Sequence, residues 1–170
     1  MSQKPRNRHI YEGLITALAV GGFFIILGFV IVSSPNIIDG TFDFFSDITF
    51  QHFPLGGSST LSLPAPAHPA QHITIFTALM NLFLGVGILQ IVILALRLAF
   101  RSPLKRISET VGNLVFWLGG AVVGNVFLLT GTLQGWFQFW SMLIILVGAS
   151  LIARFFVHLT RRARNPQMRS

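Results

Sequence analysis

His68 and His72 stand four residues apart, and His52 shares the segment 33–72 with them and with Asp39, Asp43 and Asp47. Two imidazoles one helical turn apart can chelate a borderline cation such as Zn²⁺ or Cu²⁺, and a carboxylate can complete the set. His52, His68 and His72 are therefore the candidate metal ligands. Against them, Pro69 falls inside the His68–His72 spacing and disturbs a helix there, and no HExxH pattern is present. Aspartates at i, i+4 and i+8 do not follow a calcium-loop pattern either. Histidines in water or at an interface, beside a solvated acidic face, are the simpler expectation, and no cofactor is implied.

Other chemistry is thinner. Glu12 and Glu109 lie beside basic clusters that can neutralise them, and general acid–base work needs two placed titratable groups. Ser58 and Ser59 follow glycines but have no evident base or oxyanion frame. With no cysteine, thiolate chemistry and Cys-ligated metals are excluded. The expectation is a protein that is not an enzyme. Asn81 and Asn113 are the candidate polar path of a transporter, yet Asn81 and Gln90 fall about 180° apart on one helix at 100° per residue. No Asp, Glu or Lys lies within the apolar runs to relay protons or couple an ion.

The elements that position these residues are apolar and long. Hydrophobic residues make up 52% of the 170 and charged ones 10%, a balance foreign to soluble domains. Four runs, 13–32, 73–96, 111–129 and 136–156, reach the roughly 20 residues that cross a bilayer as helix. The fold class read here is all-α: a polytopic membrane protein, one membrane domain over 1–170, with four transmembrane helices in a bundle. The first run is longer than the ~7–15 residues of a signal-peptide core and lacks an A-x-A-like site, so it is read as a retained span.

All twelve Lys and Arg fall in three clusters, at 4–8, 97–106 and 154–169. The positive-inside rule then places both termini, the loop 97–110 and the tail 157–170 in the cytoplasm, and the segment 33–72 outside a cell membrane. The net charge of +7 needs no nucleic acid to explain it, because the cations flank the spans. Arg97 and Arg154, near the inner ends of their spans, have stems long enough to snorkel to the interface.

Within the segment 33–72, residues 37–49 predict an amphipathic helix, with Asp39, Asp43 and Asp47 on one side and Ile and Phe opposite. Residues 46–53 could instead be extended. Residues 54–72, rich in Gly and Pro, predict extended, PPII-like or flexible chain, with Pro69 at the start of the second span.

Small residues recur at helical spacing along the spans: Ala17, Gly21, Gly28, Gly85, Gly120, Gly124 and Gly148. Lipid gives helices no hydrophobic reason to associate, so close approach through small residues marks expected packing faces. Partners are then the lipid bilayer and a homo-oligomer or larger membrane complex. By elimination, the expected function is that of an accessory or scaffold subunit acting through helix contacts or the outer loop. A small oligomeric transporter or channel and an outer-face metal-binding module are the alternatives.

Overall fold

The computed structural model describes residues 4–56 and 59–164. Four long helices carry the fold: α1 (Lys4–Ser33), α3 (Ile73–Ala99), α4 (Leu104–Phe127) and α5 (Leu133–Arg164). A short helix α2 (Ile37–Ser46) and a hairpin of β1 (Ile48–Gly56) and β2 (Ser59–Pro66) lie between α1 and α3 and form a cap over one end. With the 3-10 turns that precede α3 (Pro69–His72) and follow α4 (Leu128–Thr130), the four long helices give four stretches, Ile10–Ser33, Pro69–Ala99, Leu104–Thr130 and Leu133–Val157, that are long and apolar enough to cross a membrane.

The helices pack in chain order: α1 on α3, α3 on α4, and α4 on α5. Glycines set the seams. A Cβ at Gly85 would run into Ile26, one at Gly120 into the Phe83 ring, and one at Gly124 into Met80. Gly22 against Leu89, Gly87 against Leu118 and Gly119 against Leu146 are further close approaches that the sequence pattern did not single out. Gly21, Gly28 and Gly148 have open space where a Cβ would stand, and Ala17 is exposed. The small-residue stripe on α1 therefore faces away from α3; the α1 glycine in the seam is Gly22, one residue, or about 100°, round from Gly21.

Two expectations are corrected. The loop expected over 97–110 is only a turn, 100–103, because α4 starts at Leu104 directly after Pro103. Its early hydroxyls are satisfied by its own helix, Ser108 donating to the Lys105 carbonyl and Thr110 to that of Arg106. The fold is also not purely α. The extended alternative for 46–53 and the extended chain expected in 54–72 meet as a hairpin, β1 and β2 pairing antiparallel from Ile48↔Pro66 to Gly56↔Ser59. Pro54, Pro64 and Pro66 lack a donor, but in a two-stranded sheet every strand has a free edge to absorb that loss. Gly57 and Ser58, in the stretch read as flexible, lie outside the described residues, as do 165–170 of the tail.

Arg97 and Arg154 also differ from the expected snorkelling. Arg97 is buried and donates from Nη1 to the Arg106 carbonyl and the Thr110 hydroxyl. Arg154 donates from Nη2 to Asn113 Oδ1 at 2.9 Å, and its stem fills the space left by Gly112. Each arginine thus ties its helix to the start of α4.

Candidate functional site

The cap is where polar groups converge. Asp47 is the residue just after α2, and its N–H still bonds the Asp43 carbonyl, closing the last turn. From there the side chain turns to the far end of the hairpin. Oδ1 accepts from His68 Nδ1 at 2.8 Å. Oδ2 accepts from the His68 backbone N–H at 2.8 Å and from His72 Nε2 at 2.9 Å. The Asp47 carbonyl takes the Ala67 N–H at 3.0 Å. An ionised carboxylate has no proton to give, so both ring nitrogens facing it carry the hydrogen.

Electrostatics agree with the geometry. The His68 side chain, then its backbone N–H, hold the Asp47 carboxyl down at about 2 against the ordinary 3.8, with partial desolvation acting the other way and His72 adding to the lowering. The two imidazoles are not equivalent. His68 is 63% exposed and its bond is screened by water, whereas His72 is 7% exposed. The ring of Phe44 meets His72 edge-on at 5.3 Å.

Aromatic packing seats the cap on the bundle. Phe44 of α2 lies 6.0 Å from Phe76 and 5.8 Å from Trp136, ring centre to ring centre. It joins a core built on Phe76, Met80, Leu128 and Phe139. Trp136 Nε1 donates to the Pro64 carbonyl at 3.3 Å, tying β2 to α5. Gly40 lets α2 lie directly on α3, since a Cβ there would stand 3.2 Å from Ile75 Cδ1.

Two concavities flank α2. One, of about 610 Å³, is walled by Phe44 and Phe45 of α2, Phe76 and Leu79 of α3, and Trp136 and Leu143 of α5. The other, of about 630 Å³, is polar and includes Asp39, Asp43, Asp47 and His72. Ile75 borders both.

The candidate metal set is not assembled as expected. Asp47 gathers His68 and His72, but His52 stands exposed on β1 opposite Ser62. Among the described residues no group of three His, Asp or Glu side chains is placed to hold a metal ion. Asn81 is exposed on α3, while Asn113 accepts from Arg154. The helical spacing groups Asp47 with Asp39 and Asp43 on one solvated acidic face. Those two are exposed, but Asp47 falls past the helix end and turns inward. A carboxylate 21 and 25 residues before its histidines leaves no periodic signal to read.

Compared with protein-family models, curated proteins and solved structures, the chain matches none of them.

Proposed function

We propose that this is an integral protein of the cell membrane, with both termini in the cytoplasm, acting as a non-enzymatic accessory or scaffold subunit. The observation that carries this reading is the cap. The segment between α1 and α3 is a helix and hairpin closed by Asp47 onto His72, the residue just before α3, and fastened to α5 by Trp136. It thereby offers a shaped surface at the outer face.

The long helices support membrane placement, since α1 and α5 expose Ile25, Phe29, Ile144 and Phe155 to their surroundings. In water such faces would aggregate; in lipid they are in their own solvent. Among the described residues, the Lys and Arg positions within 4–8, 97–106 and 154–164 fall at the helix ends away from the cap, and the positive-inside rule supports reading that end as cytoplasmic. The open faces around Ala17, Gly21 and Gly28 on α1, and Gly148 on α5, leave room for a second copy or another membrane subunit. The alternative of a small oligomeric transporter has less support, since Asn113 is already bonded to Arg154.

The test is cross-linking in native membranes followed by purification in mild detergent. A homo-oligomer or a stoichiometric partner is the expected product. A lone monomer in both steps contradicts the scaffold reading.

A further inference from the structure

We infer that the apolar pocket under the cap holds one acyl chain of a membrane lipid whose headgroup carries an amine. The inference rests on the membrane placement proposed above, which is tested separately by labelling from either side of the membrane.

The pocket is a slot running along the spans. Its α3 wall extends from Ile75 to Phe83, about 12 Å of helix at 1.5 Å per residue. Its α5 wall extends from Trp136 to Leu143. These residues belong to the stretches long and apolar enough to cross a bilayer, and on the proposed placement the slot descends from the interface into hydrocarbon. The indole N–H of Trp136 is already taken by the Pro64 carbonyl, and apart from the Trp140 indole N–H the other lining side chains are apolar. One donor is fewer than the roughly two to four partners that hold a buried water, whereas a linear hydrocarbon matches both the length and the chemistry. At about 610 Å³ the slot is of the size that holds a whole ligand.

The headgroup follows from charge. The slot's upper end lies beside α2, and across Gly40 and Ile75 the polar groove presents Asp39 and Asp43. Residues 33–96 contain three aspartates and no Lys or Arg. An ammonium group is complementary to this surface, and a headgroup of net negative charge is repelled by it.

The experiment uses the full chain, purified in mild detergent and exchanged into nanodiscs of phosphatidylethanolamine mixed with phosphatidylglycerol. Lipid retained after re-extraction is counted by native mass spectrometry. One lipid per chain is expected, with phosphatidylethanolamine enriched severalfold over its share in the disc. Leu79→Phe, which fills the slot, should lose the retained lipid, and Asp43→Asn should keep it but lose the headgroup preference. As a check independent of folding, Trp fluorescence of the wild type should be quenched saturably by chain-brominated phosphatidylethanolamine. Retention of phosphatidylglycerol equal to its share would overturn the headgroup assignment. Quenching that merely follows the brominated fraction, or retention unchanged in a folded Leu79→Phe, would overturn the site.

Discussion

Asp47 Oδ2 and His72 Nε2, 25 residues apart in the chain, meet at 2.9 Å and close the segment between α1 and α3 into a folded cap. The contact is part-buried, with Asp47 at 16% and His72 at 7% exposure, so it fixes geometry in a way that the exposed His68 contact alone could not. Three elements depend on it: the end of α2, the end of the hairpin and the start of α3.

Replacing that carboxylate isolates its role. Asp47→Asn keeps the shape but halves the acceptor capacity facing three donors. Amide exchange at Ala67 and His68 should quicken by on the order of tenfold, while the α3–α4–α5 seams stay protected. Hydrogen exchange resolved by residue checks this. Equal loosening of α4 would mean that the cap is not a separate unit.

The same carboxylate sets an acid limit. Its group sits at about 2 in the folded chain against 3.8 ordinarily, so the folded cap binds this proton less readily than the unfolded chain. The contribution is therefore complete above 3.8 and is lost as pH falls through about 2. Cap protection in the wild type should decline across that window, and the decline attributable to this group should vanish in Asp47→Asn. Exchange measured from pH 5 to pH 2 in both proteins provides the comparison.

Glycines that looked alike in sequence should behave oppositely. Gly120→Ala pushes a methyl into the Phe83 ring, itself held against Phe116 and Trp117, and should cost about 1–3 kcal/mol. Gly148→Ala enters open space and should be neutral or stabilising by up to about 1 kcal/mol. Unfolding in a fixed detergent distinguishes them, and equal effects would contradict the seam assignment.

The amides divide in the same way. Asn113→Leu strips Arg154 of its acceptor and should cost about 1–3 kcal/mol, whereas Asn81→Leu, on an exposed face, should leave stability unchanged. Detergent unfolding of the two variants is again the measure.

How much could be read from the chain follows from what leaves a local trace. Apolar length is such a trace, and the four long helices follow from it. Helix direction around the axis is not: a one-residue error at Gly21 in place of Gly22 turns the expected seam by about 100°. The hairpin was obscured by Pro54, Pro64 and Pro66, whose usual penalty is relieved on free edges. Charge clustering marks Arg97 and Arg154 correctly as lying near the ends of the apolar stretches, although α5 itself runs ten residues beyond Arg154. It cannot say that Thr110 and Asn113 of the next helix will receive them. Asp47, His68 and His72 were each visible as chemistry, but their meeting depends on a chain reversal by the hairpin that no spacing encodes.

The placement of the cap outside and the termini inside is tested most directly by single-thiol labelling. The chain contains no cysteine, so Ser62→Cys on the hairpin and Lys105→Cys in the first turn of α4 each create a unique reporter. In intact cells a membrane-impermeant maleimide should label Ser62→Cys at once and Lys105→Cys only after permeabilisation. Labelling of Lys105→Cys in intact cells, with Ser62→Cys protected until lysis, would contradict the account.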